Sequence, residues 1–350
     1  MKLPRFLVPA AAAATLLLAA CGGSAAPSSG AAAASSAASA AVSASAAAPG
    51  STAASISASA SPSGSAASST APSASGAKPV IKIGSTNFSE QLVLGELYAQ
   101  VLEANGFTVE RHFNLGTREV VVPALESGQI DLEADYMATL LVFLDKNAKP
   151  STDAATTAGL LKTALAAKSL TALDYAPAVD TNGFAVTKAT ADKYHLVNLS
   201  DLAPVASQMI LGGAPECPKR PFCLPGLQST YGIKFKDFKP LDAGGPLTVA
   251  ALAANQIQVG ELFTTDANIS VKGFVLLNDD KHLQLSDNVA PIVRGSVLTA
   301  AGPTFSSAIN SVSSKLTTAG LTGLNKQVGV DKQDPKTVAA AWLKAEGLVK

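Results

Sequence analysis

Two stretches of the chain repeat one pattern, and this repeat constrains the fold more than any other feature of the sequence. Residues Val122–Thr139 read VPALESGQIDLEADYMAT, and residues Val249–Asp266 read VAALAANQIQVGELFTTD. Each pattern is typical of the end of a helix, a turn of small residues, a short apolar strand and then an aromatic side chain. In this register Tyr136 corresponds to Phe263, which lies 127 positions later in the chain.

The repeat predicts two α/β lobes, each of which presents an aromatic side chain at the carboxyl end of a strand, where open α/β sheets bind ligands. Helix and strand patterns also alternate through the rest of this region, which favours an α/β sheet over a β-sandwich. Coincidence is the alternative, because helix-turn-strand units are common and the two stretches share only five aligned identities besides this exchange of aromatics. The repeat therefore stands as a hypothesis about where a ligand lies.

The first 77 residues are of a different kind. Lys2 and Arg5 precede an apolar run that ends in small residues before Cys21, which predicts a secretory signal over residues 1–20, too short for a membrane-spanning helix. Residues 22–77 are almost wholly Ala, Ser, Gly and Pro, without a charged or aromatic side chain. Such a segment cannot bury enough apolar surface to offset the entropy of ordering, so residues 21–77 are predicted to form a disordered tether.

Residues 78–350 remain for the folded part, which is ample for a large core and suits two lobes better than one. The whole chain has 26 basic and 26 acidic residues, and removal of the signal with Lys2 and Arg5 leaves a formal charge of −2. This near-neutral balance gives no electrostatic reason to expect a nucleic acid partner. The chain also has no Gly-x-Ser-x-Gly, no His-Glu-x-x-His and no phosphate-binding loop, so we do not predict an enzyme.

Local patterns place the first elements of the folded part. Pro79–Ser85 alternates as a strand should, and Asn87 with Glu90 has the spacing of a capping box at the start of a helix. Residues Ile130–Leu132 are predicted to form the strand that leads to Tyr136.

Cys217 and Cys223 lie in the loop CPKRPFC of a chain that is predicted to be exported, so a local disulfide is the natural interpretation. Zinc is the alternative, but it needs more ligands than two cysteines, and the 3 histidines of the chain are scattered without ligand spacing. We therefore predict no metal site, and nothing in the sequence indicates a cofactor.

Seven short motifs occur along the folded part of the chain. They are Gly84–Gln91 (GSTNFSEQ), Leu94–Tyr98 (LGELY), Leu115–Thr117 (LGT), Pro123–Leu125 (PAL), Asp135–Thr139 (DYMAT), Leu224–Leu227 (LPGL) and Asp279–His282 (DDKH). In their order and spacing they resemble the motifs of the quaternary-amine (glycine betaine/choline, osmoprotectant) substrate-binding lipoproteins of ABC importers. The similarity runs from about Val80 to the C-terminus.

The resemblance implies a two-lobed periplasmic-binding-protein fold of type II, in which each lobe is a mixed sheet flanked by helices and a hinge joins the lobes. Residues 78–183 and 286–350 would form lobe I, and residues 184–285 would form lobe II. The ending Leu18–Cys21 resembles the bacterial lipoprotein box, which implies a mature protein that begins at a lipidated Cys21. Ordinary secretion with a free cysteine is the alternative.

The resemblance also implies how the ligand is held. A trimethylammonium head is a permanent cation without N–H donors, so aromatic faces attract it, at roughly 0.5–2 kcal/mol each. The cage positions of the family correspond here to Tyr136, Phe184, Phe263 and Asp287. Two rings thus lack a hydroxyl, and the fourth ring has become a carboxylate that would attract the cation directly. The alternative for Asp287 is a turn or strand-cap aspartate.

Gln91 and Thr139 are then expected to bind the other end of the ligand, with helix-surface or turn hydrogen bonding as the alternative. Arg118 stands near the start of a helix, where an approach to an anionic end of the ligand is the alternative, and we interpret it as a solvent-exposed surface residue. A carboxylate at position 287 favours choline over glycine betaine, because glycine betaine brings its own negative group.

Taken together, the sequence predicts a monomeric solute receptor without catalytic activity, lipid-anchored at the outer face of the cell membrane, that passes a quaternary amine to an ABC permease. A binding protein for another compact solute, such as an amino acid or a betaine-like thiol compound, is one alternative. A sensory lipoprotein with the same fold is another.

Overall fold

A computed structural model describes residues 78–350. The predicted signal, the lipidation site Cys21 and the tether lie outside the described residues. Within residues 78–350, no helix is long and apolar enough to cross a membrane.

Strands and helices alternate from the start of the described part. The first eight elements are β1 (Val80–Gly84), α1 (Ser89–Ala104), β2 (Thr108–His112), α2 (Arg118–Ser127), β3 (Leu132–Tyr136), α3 (Met137–Leu144), α4 (Ala154–Ala166) and β4 (Leu170–Ala172). The next nine are β5 (Asn182–Thr187), α5 (Lys188–Tyr194), β6 (Ile210–Gly213), α6 (Leu224–Tyr231), β7 (Asp237–Pro240), α7 (Pro246–Ala253), β8 (Val259–Phe263), α8 (Asn268–Val271) and β9 (Phe274–Leu276). The last five are β10 (Val289–Arg294), α9 (Gly295–Ala301), α10 (Pro303–Lys315), α11 (Thr318–Asn325) and α12 (Pro335–Ala345).

The strands form two separate five-stranded sheets, one in each lobe. The sheet of lobe I has the order β2-β1-β3-β10-β4, and the sheet of lobe II has the order β7-β6-β8-β5-β9. In lobe I, β1 is parallel to β2 and β3, whereas β10 is antiparallel to β3 and β4. In lobe II, β6 is parallel to β7 and β8, whereas β5 is antiparallel to β8 and β9. The predicted α/β fold with a mixed sheet in each lobe is therefore confirmed.

The chain passes between the sheets twice, through residues 173–181 and through residues 277–288. The two crossings lie side by side, because Val179 forms an isolated antiparallel bridge with Asn288 and the backbone N–H of Asp180 donates to the carbonyl of Asp287. Asn182 already pairs with Phe263 in the sheet of lobe II. The connection between the lobes is thus a pair of short extended segments.

The repeated stretches occupy equivalent places in the two sheets. α2 leads to β3 in lobe I, and α7 leads to β8 in lobe II. Tyr136 and Phe263 are the last residues of these strands. β3 begins at Leu132, the last residue of the predicted strand, and continues to Tyr136 through Glu133 and Asp135, which are buried. The apolar pattern therefore located the strand but missed its acidic half.

The predicted capping box at the start of α1 is wrong. Phe88 is the N-cap residue, and no side chain caps the first turn of the helix. The Glu90 carboxylate instead accepts hydrogen bonds from Tyr136, Thr265 and Asn325. Because Thr265 belongs to lobe II, Glu90 is used to join the two lobes rather than to cap its own helix.

Candidate ligand-binding site

A cavity of about 450 Å³ lies between the two lobes. Lobe I contributes Phe88 and Gln91 from the start of α1, Tyr136 from the end of β3, and Thr139 from α3. The other side comes from lobe II and the crossings, with the lining residues Asp180, Asn182, Lys219, Arg220, Pro221, Phe222, Glu261, Phe263 and Asp287. Five of the six residues predicted to bind ligand therefore meet here.

Three aromatic rings form a continuous group at this cavity. Phe88 stacks on Phe263, with ring centroids 5.1 Å apart, and on Tyr136, with centroids 6.4 Å apart. Tyr136 and Phe88 belong to lobe I, whereas Phe263 belongs to lobe II. Sequence reasoning missed Phe88, although it stands within the GSTNFSEQ motif that carried the family resemblance.

The hydroxyl of Tyr136 is held by protein groups. It donates to Glu90 Oε1 at 2.5 Å and accepts from Gln91 Nε2 at 3.1 Å. Burial raises the pKa of Tyr136 above its ordinary value, so the phenol remains neutral. Gln91 Oε1 is buried and has no hydrogen-bond partner among the described residues.

Asp287 lies at the end of the second crossing and is only 1% exposed. Its Oδ1 accepts from the backbone N–H of Thr139 at 2.8 Å and lies 3.2 Å from the Thr139 hydroxyl. Burial raises the pKa of Asp287 to about 6, because the ionised form is poorly solvated there, while the hydrogen bond from the Thr139 N–H and the charge of Arg118 act against this increase. At neutral pH the group is therefore mostly ionised.

Arg118 is not a surface residue, so that interpretation is wrong. It is 8% exposed and lines the cavity. Its Nε donates to both oxygens of Asp135, at 2.9 and 3.1 Å, and its Nη2 donates to Thr139 Oγ1 at 2.8 Å. Arg118 is therefore neutralised by Asp135 and helps to position Thr139. The pairing brings together residues of α2 and β3 that local patterns do not connect.

Phe184 does not reach the cavity. Its side chain is 1% exposed and packs in the hydrophobic core of lobe II with Val186, Leu211 and Leu227. Asn182, two residues earlier in β5, lines the cavity instead. The family alignment placed the ring at the right strand, but Phe184 lies further along β5, where its side chain belongs to the core.

The buried charge around the cavity is mainly negative. Asp135, Asp180, Glu261 and Asp287 are all at least 96% buried, against Arg118 as the buried cation of the described lining. Burial raises the pKa of Asp180 above its ordinary value. It raises the pKa of Glu261 to about 7, so Glu261 is partly protonated at neutral pH without a ligand. A cation in the cavity would favour their ionised forms.

Cys217 and Cys223 are joined in a disulfide, with their Cα atoms 5.2 Å apart. Among residues 78–350, the one group of metal-binding side chains close enough to share an ion consists of these cysteines and Glu261. Both sulfurs are already used by the disulfide. The part of the chain that the structure describes therefore offers no free set of metal ligands.

A second cavity of about 480 Å³ also lies between the lobes and shares Phe88 and Phe263 with the first. Tyr136, Gln91, Thr139 and Asp287 do not line it. The predicted ligand-binding residues thus select the first cavity.

Comparison with known proteins relates this arrangement to transport proteins. The chain is 31% identical over 289 residues to the glycine betaine-binding protein YehZ of Escherichia coli (strain K12), a match that covers 78% of this chain and 92% of YehZ. It is 27% identical over 272 residues to the ergothioneine transport permease/ergothioneine binding protein EgtU of Helicobacter pylori (strain G27), covering 77% of this chain but only 48% of EgtU. A solved structure described as a glycine betaine/carnitine/choline ABC transporter is 25% identical, with a TM-score of 0.63, and the match covers 77% of this chain and 99% of that one.

The family described as the substrate binding domain of ABC-type glycine betaine transport system matches residues 79–345, nearly the whole described part. Its members are transport proteins rather than enzymes, and the solved relative shares the two-lobed fold. The resemblance inferred from the motifs is thus confirmed, and the chain belongs to this family of extracytoplasmic substrate-binding domains.

Proposed function

We propose that this protein captures a quaternary-ammonium solute of the choline or glycine betaine type in an aromatic cage between its lobes. The observation that carries the proposal is the stack of Phe88, Tyr136 and Phe263 at a cavity that the buried carboxylate of Asp287 also lines. Aromatic faces and a carboxylate are the two kinds of group that attract a cation without N–H donors.

Choline is the solute that fits these groups best. It carries a positive charge without a compensating carboxylate, so the negative lining favours it over glycine betaine. Its hydroxyl is a donor, and Gln91 Oε1 is an acceptor without a protein partner among the described residues. Thr139, which also bonds to Asp287, would contact the same end of the ligand.

Calorimetric titration of the purified protein with choline, glycine betaine, proline betaine and carnitine tests this proposal. We expect binding of at least one of them and a lower Kd for choline than for glycine betaine. Much tighter binding of glycine betaine would exclude the choline preference, and no heat with any of the four would exclude the proposed class of ligand.

A betaine-like thiol compound is the second candidate. It is favoured by the relative from Helicobacter pylori, whose name describes an ergothioneine binding protein. Such a compound carries the same trimethylammonium head, so the same rings would hold it. Competition between ergothioneine and choline in one titration distinguishes the two, because the tighter ligand displaces the other.

The remaining parts of the proposal concern location and partners. We propose that residues 1–20 are removed, that Cys21 is lipidated at the outer face of the membrane, and that the monomer delivers its ligand to an ABC permease. Metabolic labelling with a fatty acid, compared between the full chain and its Cys21→Ala variant, tests the anchor. Label that persists in the variant would exclude it.

A further inference from the structure

We propose that the loop closed by the Cys217–Cys223 disulfide is a lid of the ligand site, and that Arg220 holds this lid against lobe I by pairing with Glu119. The proposal rests on the proposed function in one respect, namely that the ligand is enclosed between the two lobes. It assigns positioning roles to residues outside the cage.

The loop forms one wall of the cavity. Lys219, Arg220, Pro221 and Phe222, which are four of the five residues between the cysteines, all line it. Phe222 adds a ring to this wall on the side of lobe II. The disulfide therefore encloses a segment that faces the ligand space.

Several contacts fix the loop to lobe II. Both cysteines are fully buried. The carbonyl of Phe222 accepts from Asn182 Nδ2 at 3.0 Å and from Gln284 Nε2 at 2.8 Å. The carbonyl of Pro221 lies so close to Gly226 that a Cβ atom there would overlap it. A loop held in this way moves with lobe II as a rigid unit, which lowers the entropy cost of enclosing a ligand.

Arg220 extends from this rigid loop to the opposite lobe. Its Nη2 lies 3.1 Å from Glu119 Oε2 in the first turn of α2, and 3.3 Å from Glu216 Oε1 in its own lobe. Among the ion pairs of residues 78–350, the pair with Glu119 is the one that joins the two lobes. Separation of the lobes breaks this pair and leaves the pair with Glu216 in place, so it stabilises the closed state selectively.

The size of the effect follows from exposure. The side chains of Arg220 and Glu119 are 31% and 46% exposed, so water and salt weaken their attraction. Loss of such a pair changes an equilibrium by up to about fivefold, and replacement of attraction by repulsion increases this to about tenfold. We therefore expect charge reversal to raise Kd by about three- to tenfold, mainly through faster dissociation.

The test is a charge swap. Arg220→Glu, Glu119→Arg and the double variant are titrated with choline and glycine betaine as probes, and dissociation rates are measured by stopped flow. Both residues line the cavity, so a direct effect of their charge on a bound cation would have opposite signs in the two single variants, whereas loss of the pair should weaken binding in both. The double variant leaves the net charge of the lining unchanged and should restore the wild-type Kd to within about twofold. Lys188→Glu is the matched control, because it reverses an equally positive side chain that pairs only within lobe II and should leave Kd unchanged. Single reversals without effect, or a double variant as weak as both singles combined, would overturn the pairing.

A ligand-independent measurement separates this proposal from the proposed function. If the wild type binds neither probe, the proposed function fails, but the radius of gyration of the ligand-free protein in X-ray scattering still reports on lobe closure. We expect a larger radius for Arg220→Glu than for Lys188→Glu, and recovery in the double variant. Equal radii for all four variants would exclude a closing role for Arg220.

The disulfide is tested with the Cys217→Ser/Cys223→Ser variant. It should bind the probes less tightly and lose the sensitivity to Arg220→Glu, because a loosened loop no longer carries Arg220 to Glu119. Circular dichroism verifies that the variant is folded, and the charge swap alone decides the proposal if it is not. An unchanged Kd in a folded variant would show that the disulfide does not position the lid.

Discussion

Replacement of Asp287 by Asn should reduce the affinity for choline and change how that affinity depends on pH. Asn keeps an oxygen that accepts the hydrogen bond from the Thr139 N–H, which is 2.8 Å long in the wild type. The substitution therefore removes the negative charge and little else. Because Asp287 is 1% exposed, solvent does little to screen this charge from a cation in the cavity.

The expected magnitude follows from Coulomb's law. A cation about 5–6 Å from the carboxylate, in an effective dielectric of about 20, is attracted by roughly 3 kcal/mol. This energy corresponds to about a hundredfold in Kd. The same substitution should reduce the affinity for glycine betaine less than the affinity for choline, because Asp287 repels the carboxylate of glycine betaine in the wild type. The ratio of the two Kd values should therefore move towards glycine betaine in the variant.

The pH dependence has a definite sign. The pKa of Asp287 in the ligand-free protein is about 6, raised by burial. A cation binds the ionised form, so affinity is highest above pH 6 and falls as pH decreases through that value. From pH 7 to pH 5 the ionised fraction drops from about nine tenths to about one tenth, so the Kd for choline should rise about tenfold.

Calorimetry at pH 5, 6 and 7 on the wild type and on Asp287→Asn measures both effects. Glu90, Asp135, Asp180 and Glu261 also lie at or near the cavity, so the contribution of Asp287 is the difference between the two pH profiles. At pH 7 the variant should be at least as stable to urea as the wild type, because an ionised and buried Asp287 opposes folding. Identical pH profiles and Kd values within about twofold would refute a direct contact between Asp287 and the cation.

Three further substitutions separate binding from stability. Tyr136→Ala should remove most of the affinity for any quaternary amine, whereas Tyr136→Phe keeps the ring and should bind more tightly than the Ala variant; equal affinities in calorimetry would exclude the ring from the cage. Phe184→Leu should lower the free energy of unfolding by about 1 kcal/mol and leave Kd within about twofold, since the ring is in the core; a large loss of affinity in a folded variant would return Phe184 to the cage. Gly226→Ala should lower the free energy of unfolding by roughly 1–3 kcal/mol in urea titrations, because the Cβ of the new alanine would overlap the Pro221 carbonyl. Unchanged stability would show that the loop between the cysteines moves away from position 226 at little cost.

The sequence alone was enough to predict the two lobes and the places where Tyr136 and Phe263 lie. Helix-turn-strand patterns are local, so they can be recognised in the sequence without knowledge of the tertiary structure. The repeat corresponds to a structural equivalence between the two sheets, because β3 in lobe I and β8 in lobe II are each the central strand of five. Asp287 and Thr139 were also predicted as site residues. In the structure both line the cavity, and the Thr139 N–H donates a hydrogen bond to Asp287.

Three residues show where sequence reasoning stops. The burial of Arg118 depends on Asp135, which lies 17 positions later and reaches it only after β3 has joined the sheet. Phe184 lies two positions after the cavity-lining Asn182 in β5, a difference that a match of short motifs does not resolve. Phe88 was missed because nothing local distinguishes an N-cap aromatic that stacks on a ligand wall from one that covers its own helix.

Phe88 also changes how the proposed cage is put together. The repeat relates Tyr136 to Phe263 as equivalent residues of the two lobes. Their rings do not stack directly on each other, and each stacks on Phe88 instead. Phe88 and Tyr136 belong to lobe I, and Phe263 reaches them from lobe II. The three rings are therefore complete only when the lobes lie together, and the hydrogen bond from Thr265 of lobe II to Glu90 of lobe I, 2.7 Å long, forms in the same arrangement. Since Glu90 also accepts from the hydroxyl of Tyr136, the contact between the lobes and the orientation of the Tyr136 ring depend on one carboxylate.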